Sequence, residues 1–205
     1  MVFLANCSQA IGTRPVDLSR TPVDAITCVG FKWLCGPYGT GFAWIRPALR
    51  ETLEYNQAYW LAMQTSEDLG GEDRTVALRS DLGARRYDVF GTANFFNTKP
   101  WTASVEYLLE RGIDAVAAHN DRLVSRFIDG LDRDKYRLLS PAEGAMRLTL
   151  IFISHRHRDR NKRIHESLLH AGIHVAYRAG NLRIAPHLHN DDACIDRALS
   201  LLNRA

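Results

Sequence analysis

The sequence lacks long apolar runs, closely spaced cysteines and a strong excess of charge of one sign. Its four cysteines, among 205 residues, form no CxxC pair, which favours a reduced, cytoplasmic protein. No stretch approaches the roughly 20 apolar residues of a membrane span, and the opening MVFLANCSQA has no basic region of a signal peptide. A net charge of +3 is too small to indicate a nucleic-acid partner. We therefore expect a protein that binds neither membranes nor nucleic acid.

Two clusters of residues suggest binding sites, but each favours a plainer interpretation. His155 and His157, and likewise His187 and His189, alternate in predicted strands and so share a face. No cluster of carboxylates or cysteines completes a set of metal ligands, and we expect no metal site. The basic run HRHRDRNKR at residues 155–163 contains an aspartate and no aromatic residue. This composition favours the solvated start of a helix over a nucleic-acid patch.

Apolar patterning predicts an α/β chain of two parts. Short apolar runs predict three strands in the first part, and helical spacing around Gly112 predicts two helices early in the second. The predicted strands are residues 2–5, 25–29, 41–45, 136–139, 148–154, 174–177 and 182–185, and the predicted helices are a short one opened by Pro47 and residues 100–111, 114–131, 159–170 and 191–203. We place the boundary near residue 90, between residues 1–90 and an α+β unit of residues 91–205.

The first predicted strand is apolar and begins at residue 2, with no helix, cap or loop before it. A buried strand of this kind needs a neighbour on both of its edges. We therefore expect that an N-terminal part is missing, or that another chain supplies it.

Lys32 stands between an apolar predicted strand and a glycine-rich turn. A lysine placed in this way can form a Schiff base, because the strand fixes the backbone and burial lowers the pKa of the ammonium group. Gly36, Gly39 and Gly41 let the chain turn sharply and pass close to a ligand. Most lysines beside glycines are nevertheless solvated loop residues, and the pattern by itself favours that interpretation.

Three ordered blocks of sequence carry a family resemblance. The first joins SQAIG at residues 8–12, PVD at 15–17 and KWLCGPYGTG at 32–41; the second is YDVFGTAN at 87–94, and the third is YRAGNLRIAPHLHN at 177–190. These blocks resemble the class V aminotransferase family, which includes cysteine desulfurases, isopenicillin N epimerase-like enzymes and kynureninase-like lyases. The resemblance implies a pyridoxal-phosphate (PLP) enzyme of fold type I.

The same resemblance covers only the C-terminal half of the family's fold. It implies that residues 1–90 form the end of the PLP-binding large domain and that residues 91–205 form the small α+β domain. Family members of this type work as dimers, so we expect either a homodimer or pairing with a separate N-terminal half.

The resemblance also implies roles for individual residues. Lys32 would form the Schiff base with PLP and move the proton at the substrate Cα. Gln9 would hydrogen-bond the phenolic oxygen of PLP. Thr92, with the amide of Gly91, would bind the PLP phosphate. Arg183 would hold the substrate carboxylate, since a planar guanidinium forms a bidentate pair with it.

Some positions depart from the family pattern. Asn6 aligns with the aspartate that keeps the pyridine nitrogen protonated, and a neutral amide cannot stabilise a pyridinium comparably. Val29 and Phe31 replace polar residues that often contact the phosphate. The first phosphate-binding loop and the aromatic residue that stacks on the pyridine ring belong to the N-terminal half and are absent from the sequence. These departures leave catalytic competence open.

The expected function is a PLP-dependent transformation of an amino acid through Lys32, by transamination, racemisation or lyase chemistry. We expect that the protein is not a cysteine desulfurase, because the interval AYRAGN at residues 176–181 contains no cysteine and Cys194 falls in a predicted helix. The alternative is a non-catalytic truncated paralogue, or one half of a split enzyme, that acts as a partner-binding module.

Overall fold

A computed structural model describes residues 1–53, 79–88 and 94–205. The first part contains a three-stranded sheet in the order β1-β2-β3. Strand β1 (Leu4–Asn6) runs parallel to β2 (Ala25–Val29), and β2 pairs antiparallel with β3 (Gly41–Ile45). Helix α1 (Pro47–Arg50) follows with a proline in its first turn, as predicted. The lysine loop connects β2 to β3, so the sheet holds both ends of that loop.

Strand β1 departs from the expectation of a buried strand. Val2, Phe3 and Leu4 are each more than half exposed, at 55%, 54% and 66%. The reason is that β1 pairs with β2 on one edge, whereas no strand among the described residues pairs with its other edge. Apolar side chains are unusual on a free sheet edge.

Two long helices open the second part. Helix α2 (Phe95–Arg111) is capped by Asn94, whose side chain accepts a hydrogen bond from the amide of Asn97. Helix α3 (Ile113–Gly130) begins after Gly112, whose φ of 77° breaks the helical path as expected. Helix α2 starts five residues before the predicted residue 100, because Asn94 provides a cap that the apolar spacing does not reveal.

The second sheet has four antiparallel strands in the order β4-β5-β7-β6. They are β4 (Tyr136–Leu138), β5 (Ile151–His155), β6 (Ala176–Arg178) and β7 (Asn181–Ile184), with α4 (Asn161–His170) before β6 and α5 (Asp192–Leu202) after β7. Short 3-10 helices cover Gly83–Tyr87 and Arg158–Arg160. The sheet and helices bury one core, whose fully buried side chains include Leu123, Phe127, Ile153, Leu182 and Leu202.

The α/β architecture predicted from the patterning is confirmed, with element ends shifted by a few residues. The division at residue 90 stays a prediction, because residues 89–93 lie outside the described part of the chain. No helix among the described residues is long and apolar enough to cross a membrane.

Candidate functional site

The lysine loop closes on itself between β2 and β3. The amide of Gly30 donates to the Thr40 carbonyl at 2.8 Å, and the amide of Gly36 donates to the Gly30 carbonyl at 2.8 Å. A Cβ on Gly30 would clash with Oγ1 of Thr40, so a larger residue at this position would force the Thr40 side chain to move. The loop therefore has a fixed shape, and Lys32 projects from it.

Lys32 itself is exposed, and its ammonium group has no hydrogen bond or ion pair to the described residues. The burial that we expect around a Schiff-base lysine is therefore not provided by the described part of this chain. Trp33 and Leu34, which follow it, are buried at 6% and 7% exposure. The loop is thus anchored by the two residues after the lysine, while the lysine side chain stays free to reach a ligand.

Trp33 makes two hydrogen bonds that tie the loop to distant segments. Its indole nitrogen donates to Oε1 of Gln9 at 3.2 Å. Its carbonyl oxygen lies 3.0 Å from Nε2 of His187, which comes from the segment after β7. Sequence reasoning placed Trp33 and His187 in motif blocks but missed these contacts. The sequence hints at these contacts only through Gln9 and His187, which are polar residues beside apolar neighbours in their motif blocks.

Buried His187 links the Trp33 carbonyl to Asn120, and these three residues form a polar chain behind the loop. Its Nε2 faces the Trp33 carbonyl and must carry the proton, so Nδ1 accepts from the amide of Asn120 at 3.4 Å. Burial lowers the pKa of His187, although its hydrogen bond to Trp33 opposes the shift. The side chain is therefore neutral at pH 7, and its two nitrogens have different partners.

These observations predict a loss of stability in weak acid. Burial lowers the pKa values of both His187 and His155 below the ordinary value of 6.5. The unfolded chain therefore takes up protons below about pH 6.5 that the folded chain does not, and the free energy of unfolding falls as the pH falls. Urea unfolding at pH 7.5 and pH 5.5 measures this fall, and the fall should be shallower in His187→Leu. An unchanged or higher midpoint at pH 5.5 would contradict the assignment.

Asn6 ends β1 at the same sheet edge from which the lysine loop leaves β2. Its amide oxygen accepts from the backbone N–H of Ser8 at 3.0 Å, and Oγ of Ser8 accepts from the Val29 amide at 3.1 Å. The bond from Ser8 fixes the orientation of the Asn6 amide, which leaves its NH₂ group available to donate to a ligand. An amide N–H fits a pyridine nitrogen that carries no proton, whereas the expected aspartate fits a protonated one.

Arg183 lies in the middle of β7, between buried Leu182 and Ile184, and therefore points to the face opposite the core. Its Nε is buried without a hydrogen-bond partner among the described residues. A guanidinium with an unused donor fits an anionic group such as a carboxylate. The predicted residues Gly91 and Thr92 lie outside the described residues. The structure thus brings Asn6, Gln9 and Lys32 to one edge, and places Arg183 on the strand that leads to His187.

The model of the family described as aminotransferase class-V matches residues 1–190. The chain belongs to the class V aminotransferase family. The resemblance inferred from the three motif blocks is therefore confirmed.

Members of this family with curated names include an epimerase and desulfurases. The isopenicillin N epimerase of Streptomyces clavuligerus is 33% identical over 138 residues, which are 65% of this chain and 34% of the relative. A probable cysteine desulfurase of Mycobacterium leprae is 31% identical over 134 residues, which are 65% of this chain and 30% of the relative. The matched part thus covers about a third of each curated class V relative.

Solved class V structures share the fold at low identity. The apo cysteine desulfurase of Thermococcus onnurineus matches with a TM-score of 0.83 and 18% identity, over 99% of this chain and 52% of that chain. A mutant of C-DES with glycine covalently linked to the PLP cofactor matches with a TM-score of 0.78 and 21% identity, over 95% and 49%. These matches confirm the predicted fold type, and this chain spans about half of either structure.

The expectation that the chain is no cysteine desulfurase was wrong. Desulfurases are among its relatives both in sequence and in fold. The expectation depended on the place of Cys194 in a helix and on one cysteine-free connection, which the structure shows as a tight turn at Ala179 and Gly180 with positive φ at both residues. The class V fold is set by the sheets and helices around that turn. A single connection therefore does not exclude a desulfurase relative.

Proposed function

We propose that this chain is the lysine-bearing part of a PLP-dependent enzyme that acts on an amino acid, with Lys32 as the Schiff-base residue. The observation that carries the proposal is the placement of Asn6, Gln9 and Lys32 at the carboxyl edge of the parallel pair β1–β2. Ligands of open α/β sheets bind outside this edge. Bound PLP supplies an aldehyde that captures amines and a ring that accepts electrons from the substrate Cα.

Three residues of the loop edge act directly in this proposal. Lys32 offers an amine on a rigid loop and carries the proton to or from the substrate Cα. Gln9 donates a hydrogen bond to the phenolic oxygen of PLP. The Asn6 NH₂ group would donate to the pyridine nitrogen, because the bond from Ser8 to the Asn6 oxygen fixes the orientation of the amide.

Residues farther along the chain complete the proposed site. Gly91 and Thr92 bind the PLP phosphate, and Arg183 binds the substrate carboxylate. The unused Nε donor of Arg183 supports this last role. The named relatives include an epimerase, desulfurases and a cystine C–S lyase. The proposal therefore stops at an amino acid as substrate and leaves the bond that breaks unassigned.

A partner chain is part of the proposal, either a second copy or a separate N-terminal half. The apolar side chains of Val2 and Phe3 before β1, of Leu4 on β1, and of Phe95 and Phe96 on α2 are all more than half exposed. Exposed apolar groups in this number favour a covering surface. Lys32 is also exposed, so a partner could supply its missing burial. The four free cysteines support a reducing, cytoplasmic location.

Borohydride trapping tests the proposed function. The protein is incubated with a slight excess of PLP, reduced, digested and mapped by mass spectrometry. We expect one dominant adduct on the peptide that contains Lys32, and its loss in Lys32→Ala. The matched control is Lys162→Ala, an exposed lysine of α4, which should keep the adduct.

Two outcomes speak against a PLP site. An adduct spread over several lysines, and unchanged in Lys32→Ala, means that labelling is non-specific. No adduct in any variant favours the alternative of a partner-binding module, which the exposed apolar surface of β1 also fits.

A further inference from the structure

The contact between Trp33 and Gln9 fixes the orientation of an amide. The indole nitrogen of Trp33 lies 3.2 Å from Oε1 of Gln9. An indole nitrogen donates and never accepts, so the Gln9 atom that faces it must be the oxygen. The NH₂ group of Gln9 must therefore point the other way. A glutamine without this neighbour could present either its oxygen or its NH₂ group to a ligand.

Trp33 is itself held in place from three sides. Its carbonyl oxygen lies 3.0 Å from Nε2 of His187, and the two rings meet edge to face with centroids 5.2 Å apart. A Cβ on Gly12 would lie 2.7 Å from the Trp33 oxygen, so the chain passes as close there as a glycine allows. A tryptophan fixed in this way can impose an orientation on its partner.

We propose that Trp33 is a positioning residue, which turns Gln9 so that its NH₂ group donates to an acceptor atom beside Lys32. Under the proposed function, on which this inference rests, that acceptor is the phenolic oxygen of PLP. Trp33 touches neither cofactor nor substrate in this role. It acts through Gln9, and its loss leaves the Gln9 amide free to rotate.

The chain offers a matched control in a second tryptophan that contacts the same loop. Trp101 packs against the loop from α2, since a Cβ on Gly36 would lie 2.5 Å from its ring. Its indole nitrogen is buried without a hydrogen-bond partner among the residues that the structure describes. Trp33→Phe removes a bonded N–H, whereas Trp101→Phe removes an unbonded one. The two variants make the same chemical change.

The first experiment needs no cofactor. The indole N–H signals of the full chain are recorded by ¹⁵N NMR, with Trp33 and Trp101 assigned from their phenylalanine variants. In Gln9→Ala, we expect the Trp33 signal to move and its hydrogen exchange to quicken by about tenfold, with the Trp101 signal unchanged. In Gln9→Glu, the acceptor oxygen is kept, and the Trp33 signal should stay close to that of the wild type. If the exchange rate of the Trp33 indole N–H is the same in Gln9→Ala as in the wild type, the contact between Trp33 and Gln9 is refuted.

The second experiment follows the pH dependence of the visible absorption band of the PLP-loaded protein. A donor beside the phenolic oxygen stabilises its negative charge and weakens its hold on the Schiff-base proton. Loss of that donor therefore raises the midpoint of the titration. We expect Trp33→Phe, Gln9→Ala and Gln9→Glu each to raise it by about half to one pH unit, and Trp101→Phe to leave it unchanged.

The double variant separates positioning from packing. If Trp33 acts through Gln9, Trp33→Phe adds nothing to the midpoint shift of Gln9→Ala. Additive shifts, or equal shifts in Trp33→Phe and Trp101→Phe, would reduce Trp33 to a packing residue and overturn the proposal. If Trp33→Phe does not fold, Gln9→Glu tests the proposal instead. This variant should raise the midpoint of the absorption titration while the indole N–H signal of Trp33 stays as in the wild type. A wild type without a visible band refutes the proposed function, and with it the cofactor part of this inference, while the indole signals still decide the orientation of Gln9.

Discussion

Replacing Arg183 with leucine is expected to weaken the binding of amino acids to the PLP-loaded protein by about 100-fold. A bidentate guanidinium–carboxylate pair contributes about 3 kcal/mol, and tenfold in affinity corresponds to about 1.4 kcal/mol. Arg183 lies in a central strand with an unused Nε donor. The measurement is a titration, followed by visible absorbance, with the L-amino acid that gives the largest change among the twenty. Arg183→Lys should recover only part of the affinity, since an ammonium cannot form the planar pair.

Arg178→Leu is the matched control for this prediction. Arg178 lies on the adjacent strand β6 and is exposed, and its guanidinium lies 3.5 Å from the Tyr177 carbonyl oxygen, which is long for a hydrogen bond. Its loss should leave the affinity within about twofold of the wild type, because an exposed arginine of this kind contributes little. Equal losses in both variants would mean that Arg183 contributes only general positive charge.

Replacing His187 with leucine is expected to destabilise the fold by about 2–4 kcal/mol. The leucine fills a similar volume but leaves the Trp33 carbonyl without its partner and the Asn120 NH₂ group with only its bond to the Thr13 carbonyl. Buried polar groups that lose a partner cost about 1–3 kcal/mol each. Urea unfolding measures the change. The Trp33 indole signal should also broaden, since its loop loses its link to the segment after β7.

His189→Leu is the control for this second prediction. His189 is exposed and lies two residues away, with its ring centroid 6.3 Å from that of His187. A surface substitution of this kind should change stability by less than about 0.5 kcal/mol. If both variants unfold at the same urea concentration, the polar chain behind the loop does not contribute to stability.

Most elements of the fold were predictable because their causes are local. Gly112 interrupts the helical spacing and separates α2 from α3, and Gly172 follows α4 with a φ of 72°. Two features were not predicted, because they depend on contacts outside the local apolar pattern. Leu4 belongs to an apolar run yet lies exposed on an edge strand, because sequence does not say which strands pair. The start of α2 depended on Asn94, a cap that lies outside the apolar repeat.

The candidate site was predictable as a set of residues but not as an arrangement. Motif spacing predicted roles for Asn6, Gln9 and Lys32, which stay predictions, and the parallel pairing of β1 and β2 places these residues at one sheet edge. The exposure of Lys32 and the bond from Trp33 to Gln9 depend on contacts between distant segments. No local pattern encodes such contacts. The same limit explains the wrong exclusion of the desulfurases, which depended on one short connection and on the place of Cys194 in a helix.

The hydrogen bond between Trp33 and His187 joins residues that are 154 positions apart. A ribosome has therefore made most of the chain before this bond can form. Until then the loop that carries Lys32 has β2 and β3 at its ends but no anchor behind it. Contacts of such long range form late in folding, because the intervening chain must first be ordered. A nascent chain that stops before residue 187 therefore lacks the hydrogen bond that anchors Trp33, the residue after Lys32.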